Sequence, residues 1–199
     1  MGLTTWVIVL VKDFDSAKQR LGPALDPAAR RRLAQANARR AIRAAIAGDH
    51  RLVVAGSEEA AQLARKLGAE VLVEPRQEGQ NVAARRGIDH AVQNGAQAVL
   101  VLSSDLPLIS SKAVGDVLKV ASRLDPPSAV AIPAIGRGGT NGLFLNPPGA
   151  LGLHFGADSL AAFEREAKLR GIGFVVHPSR AMALDLDEPA DLLHVRRAV

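Results

Sequence analysis

The 199-residue chain contains no cysteine, which excludes a disulfide framework and any thiolate metal centre. Aromatics are nearly as scarce, with five Phe, one Trp and no Tyr. That argues against a single-strand nucleic-acid binder, which needs stacking platforms. No apolar run approaches the length of a membrane span. The opening Met1-Gly-Leu-Thr-Thr-Trp-Val lacks a basic region before its apolar stretch, so it reads as a first strand rather than a signal peptide. No P-loop and no His-Glu-x-x-His occur, and the five His are scattered. Only His154, beside Phe155-Gly156, is a candidate for the neighbourhood of a site. The run Gly136 to Gly142 has the wrong spacing for a dinucleotide fingerprint and follows the wrong strand. These absences leave a cytoplasmic protein as the expectation.

What remains is enough for one domain over residues 1–199, with 48% apolar residues and a formal net charge of +5. Part of that charge lies in Arg30-Arg-Arg32, Arg39-Arg40 and Arg43, which read as one solvated helix face with Arg stems over apolar surface. Strands are expected at Thr4–Val11, Arg51–Ala55, Glu70–Val73, Ala98–Leu102, Ala129–Pro133, Leu143–Leu145 and Gly173–Val176. Helices fall between them, at about 27–47, 58–67, 82–94, 110–124 and 159–170, with a last one from Glu188-Pro189. Ala183 to Asp187 reads as extended. The alternation specifies a layered α/β domain with a mainly parallel sheet.

The most informative stretch is Ala98-Val-Leu-Val-Leu-Ser-Ser-Asp-Leu-Pro-Leu108. Five apolar residues make a strand buried on both faces, and Pro107 cannot continue it. Asp105 therefore stands at the carboxyl end of a core strand, where open α/β sheets bind ligands. It lies too far upstream to cap the helix that begins near Ser110. Without Cys or clustered His, any metal would be a hard cation, Mg²⁺ or Mn²⁺, held by carboxylates and substrate phosphates. Asp185 and Asp187, two apart on an extended segment, point to one side while Leu184 and Leu186 face the core. Asp187 fits equally well as the cap of the terminal helix. Lys12, Lys18 and Arg20 follow the first strand at the same sheet edge, where cations would hold a triphosphate. The Gly-rich stretch around Thr140 and the helix start at Gly156-Ala-Asp-Ser159 would each hold an anion. A metal-assisted site for phosphorylated substrates is the sum of these features.

Several short motifs occur in order: Ala17-Lys18-Gln-Arg20-Leu-Gly-Pro23, Glu78-Gly79-Gln-Asn81, Ser104-Asp105-Leu-Pro107, Gly139-Thr140-Asn141, Phe155-Gly156-Ala-Asp-Ser159 and Leu184-Asp185-Leu-Asp187-Glu-Pro. Together they resemble the guanylyltransferase family of coenzyme F420 biosynthesis, which activates 2-phospho-L-lactate or phosphoenolpyruvate. The resemblance implies a nucleotide-diphospho-sugar transferase-like, GT-A-type nucleotidyltransferase fold in three layers. It implies GTP as co-substrate, Mg²⁺ on Asp105, Asp185 and Asp187, and the phosphorylated acid on Thr140, Gly156 and Ser159. Lys12, Lys18, Arg20, Gly79 and Asn81 would border GTP, with Lys12 and Asp105 the catalytic candidates. The partners expected are then small molecules, neither nucleic acid nor membrane. A downstream transferase of the pathway and a second copy of the chain are the protein partners to test for. Leu10-Val11-Lys12, Gly79-Gln-Asn81 and Gly142 depart from the family's more usual Pro-Val, Gly-Leu-Asn and Ala at those points, which bears on substrate preference. The acceptor stays open among phosphoenolpyruvate, 2-phospho-L-lactate and 3-phosphoglycerate. The rival readings are a nucleotidyltransferase for a sugar phosphate or a molybdopterin cofactor, and a basic nucleic-acid binder built on the Arg-rich helix.

Overall fold

Every residue of the first strand, β1 (Thr5–Val11), is buried, because its run of Trp, Val, Ile and Leu supplies apolar side chains to both faces. The computed structural model describes residues 3–136 and 138–198. In it β1 lies between β2 (His50–Ala55) and β4 (Ala98–Ser103), parallel to both. With β3 (Glu70–Val73), β5 (Ser128–Pro133), β6 (Thr140–Asn146) and β7 (Gly173–Val176) they form one sheet in the order β3-β2-β1-β4-β6-β5-β7. The sheet is mostly parallel, but β6 runs antiparallel to β4 and β5.

Alternation along β1 divides the core in two. Val7, Val9 and Val11 pack with apolar residues of α1 (Pro27–Ala44), α2 (Glu58–Lys66) and α4 (Ser111–Ala121). Trp6, Ile8 and Leu10 face α3 (Gln80–Gln93) and α5 (Ser159–Arg170) on the other side. Two further helices, α6 (Arg180–Ala183) and α7 (Pro189–Ala198), close the chain. Local signals set the helix starts: Asp26, Ser57 and Ser110 each accept a hydrogen bond from a backbone N–H of the first turn, the ordinary Asx and Ser cap. Ser110, not Asp105, caps α4. No helix among the described residues is long and apolar enough to cross a membrane.

Three expectations need adjustment. Residues 180–183 form a short helix, so the extended segment covers only 184–187. Helix α3 begins at Gln80 rather than near Val82, with Gly79 before it at φ 98°. The sixth strand begins at Thr140, not Leu143, although Gly142 looks like turn chemistry. A Cβ on Gly142 would lie 2.9 Å from Leu102 Cδ2 and 3.0 Å from Ile132 Cδ1. That glycine answers close packing between neighbouring strands rather than a turn. The Arg-rich helix face is partly engaged by its neighbours: Arg31 pairs with Asp15 and Glu59, and Arg40 donates to the Pro107 carbonyl.

Helix α3 approaches the sheet closely at Gly87, where a Cβ would meet Ile8 Cγ2 and Val54 Cγ2, each at 2.8 Å. Gly87→Val should therefore lower the unfolding free energy by about 1–3 kcal/mol through overpacking. Gly115→Ala on α4, where nothing lies within 4 Å, should raise it by about 0.5–1 kcal/mol. Urea midpoints at unchanged m-value test both signs.

Candidate active site

Three segments leave the sheet side by side. The loop after β1 and the loop after β4 emerge together because Leu10 is in register with Ser103. The antiparallel β6 starts at the same edge, with Gly142 opposite Leu102, so it delivers Thr140 and Asn141 there. Buried Phe14 and Ala17 pin the first loop, and buried Leu106 and Ile109 pin the second. Between them lies a cavity of ≈ 610 Å³, within the size range of small-ligand sites. Lys12, Lys18, Arg20, Gly79, Asp105, Thr140, Gly156, Asp185 and Asp187 all line it.

A buried cation holds this edge together. The Lys18 side chain has 0% exposure, and its ammonium lies 2.8 Å from Asp105 Oδ1. The same Nζ donates to the Leu186 carbonyl, while Leu186 N–H donates to the Asp105 carbonyl at 3.1 Å. Lys18 reaches this position from a left-handed backbone, φ 62°, a conformation that a non-glycine residue adopts only when its surroundings over-determine it. Leu184 and Leu186 are buried on one side of the extended segment while Asp185 and Asp187 line the cavity. The Asp187 carboxylate pairs with Arg20 at 3.1 Å. Asp191 accepts from the backbone N–H groups of Asp187 and Glu188 at 2.9 and 2.7 Å at the start of α7.

Two candidate residues stand behind the wall instead of in it. Asn81 exchanges hydrogen bonds with the Phe155 backbone, donating to its carbonyl at 3.0 Å and accepting from its N–H at 2.8 Å. It ties α3 to the loop that carries Gly156. Ser159 is buried, and its hydroxyl donates to Thr140 Oγ1 at 3.0 Å, which orients the threonine hydroxyl. His154 lies outside the cavity, 2.6 Å from Glu166 and against Phe163. In the Gly-rich loop, Arg137 lies outside the described residues.

Gln80, Ser104 and Asn141, which stand in the motifs without an assigned role, also line the cavity, as do Glu74 and Gln77, which stand outside them. For Glu74 a signal was available, since it immediately follows β3 as Asp105 follows β4. Asn141 donates to the carbonyls of Met182 and Ala183 at 2.9 and 3.1 Å, anchoring α6 and hence the segment that bears Asp185. Nothing local marks that contact between residues forty apart.

No group of three or more His, Cys, Asp or Glu among the described residues is clustered to hold a metal ion. Asp105, Asp185 and Asp187 instead reach the cavity as separate carboxylates, Asp105 half-buried. Such an arrangement fits Mg²⁺, which is usually bound by one or two carboxylates and completed by substrate phosphates and water. It does not fit a dedicated protein cage of the kind calcium takes.

A protein-family model described as "Guanylyl transferase CofC like" matches residues 5–196. The chain is 40% identical to a phosphoenolpyruvate guanylyltransferase of Rubrobacter xylanophilus, over 96% of the chain and 92% of that protein. It is 34% identical to a 2-phospho-L-lactate guanylyltransferase of Methanothermobacter thermautotrophicus, over 96% and 83% respectively. Among solved structures, a nucleotide-diphospho-sugar transferase from Desulfovibrio desulfuricans superposes with a TM-score of 0.79 at 16% identity, covering 99% of this chain and 88% of its own. That likeness establishes the fold.

Outside the cavity, Glu166 joins α5 to the segment after β6, accepting from Gly152 N–H at 3.0 Å, His154 and Arg170. Burial pushes its carboxyl up, but these partners outweigh it and hold the group at about 2, below the ordinary 4.5. A depressed carboxyl stabilises the fold above its unfolded value and loses that contribution as pH falls through its folded value. Glu166→Gln should therefore be less stable than the parent at pH 6. The difference should shrink between pH 4.5 and about 2, read from unfolding curves across that range.

Proposed function

The chain belongs to the CofC-like guanylyltransferase family, and on that premise we propose that it transfers GMP from GTP to a phosphorylated three-carbon acid, releasing pyrophosphate. Phosphoenolpyruvate is the favoured acceptor, because the Rubrobacter relative named for it is 40% identical. The observation that carries the reading is the cavity itself, lined by Lys12, Lys18 and Arg20 of one loop and by Asp105, Asp185 and Asp187. Cations beside carboxylates suit two anionic substrates that must be brought together.

In this reading a phosphate oxygen of the acid attacks the α-phosphorus of GTP in line. The P–O bond to the β-phosphate breaks, and pyrophosphate departs with that bonding pair. One or two of the carboxylates Asp105, Asp185 and Asp187 would hold Mg²⁺, which when bound would supply neutralisation of charge between the two anions. Lys12 and Arg20 attract the triphosphate and offset charge growing on the leaving group. Thr140, oriented by Ser159, and the backbone at Gly156 take the acid's anionic groups. Gly79, at the start of α3, lets the backbone approach the nucleotide, and Asn81 fixes Gly156 by holding Phe155. The protein's contribution is positioning and electrostatics, with no covalent intermediate. A nucleotidyltransferase acting on a sugar phosphate or a molybdopterin cofactor is the alternative within the fold.

Pyrophosphate release from GTP and Mg²⁺ is the test, with phosphoenolpyruvate, 2-phospho-L-lactate and 3-phosphoglycerate supplied in turn and a downstream acceptor present to draw the product off. Turnover with phosphoenolpyruvate, lost with EDTA and restored by Mg²⁺, is the expected result. Silence with all three despite GTP binding would move the assignment to another nucleotidyltransferase. Asp185→Asn should lower kcat by about 100-fold or more. Asp105→Asn should lower kcat similarly and also destabilise the protein, by up to about 3–5 kcal/mol, because it leaves the buried Lys18 ammonium without its counter-charge.

A further inference from the structure

We infer that Glu74 selects the guanine base; the inference rests on the guanylyl-transfer reading above and assigns the residue that makes the nucleotide GTP rather than ATP. Glu74 follows β3 directly, and its N–H donates to the Ala55 carbonyl at 2.9 Å. Its side chain is only 6% exposed and lines the cavity. Arg86 of α3 donates to Oε1 at 3.0 Å and also binds the Arg76 carbonyl and Glu78. Arg86 thereby fixes the loop and orients the carboxylate. The other oxygen, Oε2, has no protein hydrogen-bond partner among the described residues. A nearly buried carboxylate with one oxygen unanswered at the edge of a ligand cavity is poised to accept from the ligand.

The surroundings fit a flat base. Leu10 and Val54 are register partners on β1 and β2, and Ala83 of α3 packs in the same apolar cluster. All three line the cavity, so the part of it beside Glu74 has an apolar wall. Asp105, with Lys18 paired to it, lies on the β4 side. Glu74 after β3 and Asp105 after β4 are separated by three strand intervals, about 14 Å at the usual spacing, which leaves room for a nucleoside between the base end and the phosphate end.

The chemistry selects among purines. Guanine presents two donors on one edge, N1–H and the 2-amino group, and an ionised carboxylate is an acceptor only. Adenine offers a lone pair at N1 and a C–H beside it, so its edge repels the same oxygen. Hypoxanthine keeps N1–H and loses the amino group. The neighbouring Gln77 and Gln80 cannot make this distinction, since an amide carries a donor and an acceptor and can turn either toward the base.

The test is equilibrium binding of GTP, ITP and ATP to the parent protein, to Glu74→Gln and to Glu74→Gln/Arg86→Gln, with turnover measured alongside. The double variant removes both charges, so no guanidinium is left facing a neutral amide in the cavity wall if the single variant fails to fold. The parent should bind in the order GTP, ITP, ATP. The variants should lose about 10- to 100-fold in GTP affinity and bring the three nucleotides within a few-fold of one another. Variants that keep the parent's order, or that weaken all three equally, would overturn the assignment and reduce Glu74 to a loop anchor. Glu74-dependent preference for GTP without transfer to any phospho-acid would uphold it while removing the proposed reaction. GTP transfer with unchanged selectivity in the variants would do the reverse.

Discussion

One ammonium group organises the ligand edge of this protein. Lys18 is buried with its charge shared between the Asp105 carboxylate and the Leu186 carbonyl. It thereby joins the loop after β1, the end of β4 and the segment that leads to α7. A buried cation costs several kcal/mol in lost hydration and is tolerated only where its partners are well placed. The three segments are therefore interdependent, since moving any one of them strands a charge. The left-handed backbone at Lys18 has the same origin, because the grip on Asp105 and Leu186 holds the residue in a conformation its neighbours must sustain.

Around that clamp the walls are built by side chains that reach backbone in another layer. Asn81 holds Phe155 and Asn141 holds the end of α6. Each satisfies an irregular loop that has no ladder of its own, and each replaces hydration that burial removes. The loops can then carry Gly156 and Asp185 at fixed positions without belonging to a strand or a long helix. Binding groups presented in this way suit a reaction that depends on placing two anions rather than on a reactive side chain.

The mixed sheet contributes as much as the loops. A wholly parallel sheet would bring only strand ends to this edge. Because β6 runs antiparallel, it brings a strand beginning, and Thr140 and Asn141 sit at its first positions beside the ends of β1 and β4. The Thr140 side of the cavity thus comes from a strand opposed in direction to those that carry Lys12 and Asp105. The Desulfovibrio desulfuricans structure shares the overall architecture at 16% identity, so it is set by layer packing more than by particular residues.

The sequence alone determined the strands, the layered α/β class and the position of Asp105, because these follow from local apolar periodicity and from the inability of Pro107 to continue a strand. It also determined the alternation of Leu184 to Asp187, since an extended backbone sends neighbouring side chains to opposite sides. The family motifs marked most of the residues that line the cavity. Only the tertiary structure decided their roles. Asn81 and Ser159 carry motif positions yet act on Phe155 and Thr140 from behind the wall, and Glu74 faces the cavity without belonging to the motif. Gly142 reads as a turn but lies inside a strand because Leu102 and Ile132 press on it. Period and propensity are properties of neighbours in the chain. Hydrogen-bond partners and close approaches depend on residues tens of positions away, and folding brings those together.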